Sequence, residues 1–401
     1  VTSTVQRTPR PWLMLSFGVI AQASSTVFVS TPAFLIPLLH TERGLSLGQA
    51  GLLASAPTLG LVITLIGWGA LSDRIGERWV IASGLALTAA VAFAAMFASD
   101  YVSLGALFLL GGMASASPNA ASGRVVIGWF PKERRGLAMG IRQMCQPLGV
   151  AVAALTIPQL AAAGGIGAAL AVPAVLCAVS AVLCAVGIVD PPRPPRATGR
   201  DAHPLAVWKP YKETSLLWRI HGVSMLLVVP QFTVSTFGLV WLVTELHFSA
   251  LAAGIVIGVS QFAGAIGRIG VGVLSDKVGS HLLPLRWVSV AAAVVMLLMG
   301  AASALGAVWA AVILIVAAIV TVADNGLAYT SVAEIAGPFW SGRALGTQNT
   351  GQFLAASAVG PAVGGLITLL GYPLAFAAVA LCPVIATPLV PRDRELAVVP
   401  H

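Results

Sequence analysis

Three charged side chains stand inside long apolar runs of this 401-residue sequence: Arg142, Arg268 and Asp324. Arg124 and Glu334 lie nearer the ends of such runs. An ionised group in hydrocarbon costs about 3 kcal/mol unless it is paired or hydrated, so each is a candidate functional position. A guanidinium offers two parallel donors and stays charged, which suits Arg142 to a carboxylate or a similar planar anion. Asp324 has two readings: it carries a proton, or it pairs with Arg142 to close an inner gate. The plainer alternative is a structural ion pair that touches no ligand. Arg268, two turns before Asp276, is expected to snorkel or to brace the neighbouring loop.

Amides give a second signal, because an Asn or Gln facing lipid leaves hydrogen-bonding groups unsatisfied. Of thirteen in the chain, Gln6 and Gln49 lie outside apolar runs and Gln159 near the end of one. The other ten are Gln22, Asn119, Gln143, Gln146, Gln231, Gln261, Asn325, Gln348, Asn349 and Gln352. With Arg142, all of these but Gln261 form the candidate solute-binding set. Gln143, Gln146, Gln348, Asn349 and Gln352 are expected at matching depth, as a polar collar around a small ligand or as helix-to-helix hydrogen bonds. Phe232, Phe237 and Trp241 either wall a cavity or pack and anchor. The cysteines Cys145, Cys177, Cys184 and Cys382 sit in apolar runs without metal-ligand spacing, and the six histidines form no cluster. No P-loop is present, so no nucleotide, metal or other cofactor is implied.

These side chains must be positioned by membrane helices. The chain is 58% hydrophobic and 9% charged, which excludes an ordinary soluble globule, a disordered chain and a nucleic-acid binder. Apolar runs predict twelve spans, near 12–39, 46–70, 79–98, 102–129, 136–160, 167–189, 216–244, 250–273, 285–303, 306–332, 343–369 and 373–390. The Ala21-Gln22-Ala23 triplet resembles a signal cleavage site, but the apolar run continues to Leu39, so a retained first helix is expected. The proline-rich stretch from Asp190 divides the chain into an N-terminal bundle (1–189), a cytoplasmic linker (190–215) and a C-terminal bundle (216–401). Arg7, Arg10, Arg74, Arg78, Lys132, Arg134 and Arg135 recur on one side of the spans, as do Lys277, Arg286, Arg343, Arg392 and Arg394, leaving Arg43 on the other. That bias predicts both termini in the cytoplasm. The ten amides fall in spans 1, 4, 5, 7, 8, 10 and 11, and the amide-free spans 3, 6, 9 and 12 are expected to face lipid.

The halves repeat. Gly67-Trp-Gly-Ala-Leu-Ser-Asp73-Arg-Ile-Gly76 after span 2 matches Gly270-Val-Gly-Val-Leu-Ser-Asp276-Lys-Val-Gly279 after span 8, and Asn119 corresponds to Asn325. Such duplication marks transporters whose halves rock about a central site. The stretch Gly69-Ala-Leu-Ser-Asp73-Arg74-Ile-Gly76-Glu-Arg78 resembles the loop between helices 2 and 3 of the major facilitator superfamily. Trp129-Phe130-Pro131, the run Arg134 to Gln143 and Pro147-Leu148-Gly149 are similar to prokaryotic permeases of the cyanate-permease-like branch. The resemblance implies an all-α major facilitator fold of two pseudo-symmetric six-helix bundles, with helices 1, 4, 7 and 10 lining a cavity. It also implies a conformational latch made of Gly69, Asp73, Arg74, Gly76 and Arg78 with Arg124 and Asp276, Arg124 pairing with Asp73. Two features differ from the superfamily's proton-coupled drug antiporters: Leu104 to Gly112 holds no arginine, and the helix 5 glycine-proline motif is reduced to Pro147-Leu148-Gly149.

The sequence therefore predicts a monomeric, multi-pass secondary transporter of the inner membrane, not an enzyme. Its partner is a small anionic organic solute, with or without a co-transported proton, and it works by alternating access. Proton-driven multidrug efflux is the alternative.

Overall fold

In the computed structural model, every regular element among the described residues is helical. The structure describes residues 10–41, 44–45, 47–98, 100–192, 209–305 and 309–398. Arg7, Arg43 and most of the expected linker lie outside these.

The helices are α1 (Pro11–Thr41), α2 (Leu47–Ile75), α3 (Glu77–Ala95), α4 (Tyr101–Trp129), α5 (Arg135–Arg142) and α6 (Cys145–Gly187). They continue as α7 (Leu216–Val240), α8 (Ala250–Val278), α9 (Leu282–Leu305), α10 (Ala310–Thr321), α11 (Asp324–Ala336), α12 (Ser341–Val379) and α13 (Leu381–Leu389). A π-helical turn, Trp241–Glu245, prolongs α7. Caps set several ends. Asp100 accepts from Ser103 N at 2.8 Å to start α4, and Gly279, at φ 71°, stops α8.

Ten helical stretches among the described residues are long and apolar enough to cross a membrane. Two of them, Lys132–Gly187 with 56 residues and Ser341–Leu389 with 49, are too long for one crossing, since a hydrocarbon core takes about 20. Both are broken by a kink at a glycine with positive φ, Gly165 at 69° and Gly371 at 74°. These are the gaps left between the predicted fifth and sixth, and eleventh and twelfth, spans.

The chain forms two compact units: Val1–Pro131 with Leu148–Arg193, and Lys132–Pro147 with Pro194–His401. In the first, Phe28 and Phe108 meet edge to face in a core shared by α1, α4 and α6. In the second, Trp241 lies edge-on to Phe376 beside Met296, Met299 and Leu314. Large apolar side chains also point outward, among them Leu87 and Phe93 of α3 and Val290, Val294 and Leu297 of α9. Such faces suit lipid rather than water.

Candidate functional site

Span 5 is interrupted between α5 and α6, and span 10 between α10 and α11, where Val322 and Ala323 form a turn. The first break has a covalent cause. Pro147 lacks the N–H that would close a helical turn onto the Gln143 carbonyl, and Arg268 Nη1 donates to that oxygen instead, at 2.8 Å. The Gln143 side chain takes the other arginine, accepting from Arg142 Nη1 at 2.9 Å. One residue at a helix break thus holds both guanidinium groups. Arg142 is 1% exposed, and its Cζ lies 5.5 Å from the Tyr329 ring centroid.

Asp324 opens α11 and is 1% exposed, and neither carboxylate oxygen has a hydrogen-bond partner among the described residues. Of the two readings of Asp324, the bond to Arg142 is not made among the described residues: Arg142 turns toward Gln143 and Tyr329. Arg268, expected to snorkel or to brace the neighbouring loop, instead holds the Gln143 carbonyl. It lines a cavity of about 70 Å³ with Gln231, Ser260, Gln261, Thr321 and Pro147, and its Nε and Thr321 Oγ1 are buried without hydrogen-bond partners.

An amide network runs through the second unit. Asn325 donates to Gln231 Oε1 at 3.0 Å, and Gln352 Nε2 donates to Asn325 Oδ1 at 2.9 Å and Ser224 Oγ at 2.7 Å. The Tyr329 hydroxyl, with one proton to donate, lies within hydrogen-bonding distance of Gln352 Oε1, at 2.8 Å, and of Asn349 Oδ1. The first unit has the simpler counterpart: Gln22 Nε2 donates to Asn119 Oδ1 at 2.6 Å, and Ser122 Oγ donates to Gln22 Oε1 at 3.1 Å. The pairs Gln22–Asn119 and Gln231–Asn325 are thus the same contact made once in each half. Gln22, Asn119, Asn325 and Gln348 are all buried, so none faces acyl chains.

The expected collar is only partly assembled. Gln143, Asn349 and Gln352 join these networks, whereas Gln146 is exposed. Gln348 bonds His221 Nδ1 one helical turn from Gln352, and His221 Nε2 meets the Tyr211 hydroxyl at 2.9 Å. Trp241 is fully buried and bonds Ser303 Oγ at 3.0 Å, with Phe232 and Phe237 packed against the same core. These aromatics pack; among them none lines the cavity beside Arg268.

The duplicated loops do different work. In the first unit Arg124 Nε pairs with Glu77 Oε1 at 3.0 Å; Asp73 is buried, while Arg74 is exposed. Arg78 grips the end of α6, its N–H reaching Asp190 Oδ1 at 2.7 Å and its Nε the Ala185 carbonyl at 2.6 Å. Gly76, at φ 100°, fits beneath Asp190, where a Cβ would meet Oδ2 at 2.2 Å. Gly69, ahead of them on α2, is buried. In the second unit Asp276 caps α5, accepting from Gly136 N at 2.8 Å and Leu137 N at 2.9 Å. That approach needs bare backbone: a Cβ on Gly136 would lie 2.3 Å from the Gly272 carbonyl oxygen. Arg135 pairs with Glu334 at 2.7 Å, and His281 Nε2 lies 3.8 Å from the same carboxylate. Burial pushes His281 below its usual value, against the opposing pull of Glu334 and Asp276.

Comparison with known proteins gives this geometry a family. The profile of the Major Facilitator Superfamily matches residues 18–358. The chain belongs to the Major Facilitator Superfamily. A relative described as an uncharacterized MFS-type transporter of Mycobacterium tuberculosis is 48% identical over 380 residues, covering 95% of this chain and 84% of the relative. The hexuronate transporter of Bacillus subtilis is 28% identical over 127 residues, 32% of this chain and 30% of that protein. Among solved structures, a human organic anion transporter superposes with a TM-score of 0.72 at 16% identity, covering 96% of this chain and all of the other. The chain is therefore a multi-pass membrane transporter with the superfamily's all-α fold, and not an enzyme.

Several residues of these networks in this superfamily member escape sequence reasoning. Glu77 sits inside the quoted loop motif and was the available signal for a partner of Arg124. Tyr329, His221 and Ser224 each carry one polar atom in an apolar stretch, which becomes informative only when neighbouring helices supply acceptors.

Proposed function

We propose that this transporter is a secondary permease of the inner membrane that moves a small organic anion, coupled to a proton, by alternating access. Each of the two overlong helical runs is read as two crossings, which brings the spans to twelve: bundles at 1–189 and 216–401 joined by a cytoplasmic linker at 190–215. The one-sided placement of basic residues supports cytoplasmic termini. The protein works as a monomer and uses no cofactor.

One observation carries the substrate class: Arg268 stands on a cavity wall among neutral polar groups, with a buried nitrogen that has no acceptor. A carboxylate supplies the missing acceptor. In this reading Arg268 contacts the anion, and Arg142, tied to it through Gln143, keeps the local potential positive. Gln231, Asn325 and Gln352 set the shape and polarity of the wall, with Gln22 and Asn119 as their first-half counterparts. Asp324, buried and without a hydrogen-bond partner, is placed to hold and release the coupled proton. The similarity to a hexuronate transporter, whose namesake solute is a sugar carboxylate, supports the anion over a cationic drug.

The test is a thermal-shift screen of purified protein against small carboxylates, inorganic anions and amphipathic cations. Stabilisation by carboxylates that is lost in Arg268→Gln and Arg142→Gln is expected. Stabilisation by cations that survives both changes and fails in Asp324→Asn would replace this reading with drug export.

A further inference from the structure

In the second unit, two adjoining clefts of about 590 and 410 Å³ share Arg286, Arg392 and Arg394. Arg219 lines the larger one together with Glu395. These arginines come from the start of α7, the start of α9 and the turn that follows α13, so the fold gathers them from separate stretches of sequence. Their charges are poorly matched. Glu395 is engaged by both terminal nitrogens of Arg219, which holds its carboxyl below the usual range, and Asp393 accepts from Ser280 at 2.9 Å. Among the described residues Arg286 donates only to the Val390 carbonyl, at 2.7 Å, and the guanidinium groups of Arg392 and Arg394 make no hydrogen bond.

The walls are apolar, built from Leu282, Leu283, Pro388 and Val390. Trp218 and Trp287, next in sequence to Arg219 and Arg286, are 57% and 48% exposed. Exposed tryptophans beside arginines mark the level where a membrane meets water. A basic rim over an apolar wall at that level matches a molecule with a phosphate at one end and acyl chains at the other.

We propose that Arg286, Arg392 and Arg394, with Arg219 held ready by Glu395, form a binding site for the phosphate headgroup of an anionic phospholipid. The lipid docks its headgroup on the guanidinium groups and lays its chains along the apolar wall. Placement in the cytoplasmic leaflet rests on the orientation proposed above; the site itself does not.

The full chain, purified and stripped of lipid, is mixed with equal amounts of phosphatidylglycerol and phosphatidylcholine, and the bound lipids are counted by native mass spectrometry. Wild-type protein is expected to retain phosphatidylglycerol selectively. In Arg286→Gln/Arg392→Gln/Arg394→Gln that preference should fall by about tenfold or more, and in Arg392→Lys/Arg394→Lys, which keeps the charge, it should persist. Inorganic phosphate alone, in a parallel arm, should neither bind nor displace the lipid. Equal retention of both lipids by the wild type overturns the proposal, as does an unchanged preference in the glutamine variant. Phosphate binding that removes the lipid preference would reassign the site to a free phosphate. If the glutamine variant does not fold, the wild-type ratio and the lysine variant decide.

Discussion

Asp276 offers the sharpest local perturbation, because its two carboxylate oxygens satisfy two backbone donors at the first turn of α5. The side chain is half-buried, so water replaces part of what is lost when it is removed. A charged hydrogen bond contributes about 1.5–3 kcal/mol and loss of a helix cap costs about 0.5–2 kcal/mol. With water competing, Asp276→Ala should cost the α5 terminus about 1–3 kcal/mol, which is about 5- to 150-fold in an opening equilibrium. Hydrogen–deuterium exchange read on the peptide covering α5 measures that opening directly. Faster exchange should be confined to α5, and Asp276→Asn, which keeps one acceptor, should fall between alanine and wild type. Unchanged exchange in both variants would refute the capping argument. So would an acceleration spread evenly through α8 and α9, since that reports general loosening.

Three other outcomes follow from the same geometry. Gly76→Ala places a methyl against Asp190 at a positive φ, at a cost of about 1–3 kcal/mol, and should lower the melting temperature; Gly67→Ala, which has nothing within 4 Å, should not. Asn325→Leu strands Gln231 and one donor of Gln352, at about 1–3 kcal/mol per buried group, so thermal stability and solute uptake should fall together. For His281, whose folded-state value is depressed, the unfolded chain binds more protons between that value and 6.5. Its contribution is therefore full above about pH 6.5 and lost as pH falls, and His281→Gln should flatten melting curves across that acidic window.

The span layout was legible because hydrocarbon admits few polar groups, so each Asn or Gln in an apolar run stood out. Asn119 and Asn325 were recognisable as equivalents from the repeat, and both proved buried in matching contacts with a glutamine of the half's first helix. Partner choice was not legible. Gln348 and Gln352 lie one turn apart on α12, yet one meets His221 and the other Ser224, because successive turns of α12 face successive turns of α7. Arg142 and Asp324 both stood inside apolar runs, yet Arg142 bonds Gln143 and no hydrogen bond reaches Asp324 among the described residues. The helix break before Pro147 redirects a carbonyl toward Arg268, and no linear pattern announces that.

Anion recognition by Arg268 is tested most directly by equilibrium binding of a carboxylate found in the ligand screen, compared between wild type and Arg268→Gln at matched thermal stability. Removing a charged hydrogen bond of about 1.5–3 kcal/mol should weaken binding by about 10- to 150-fold, with Arg268→Lys in between. Wild-type affinity in the glutamine variant would contradict the assignment.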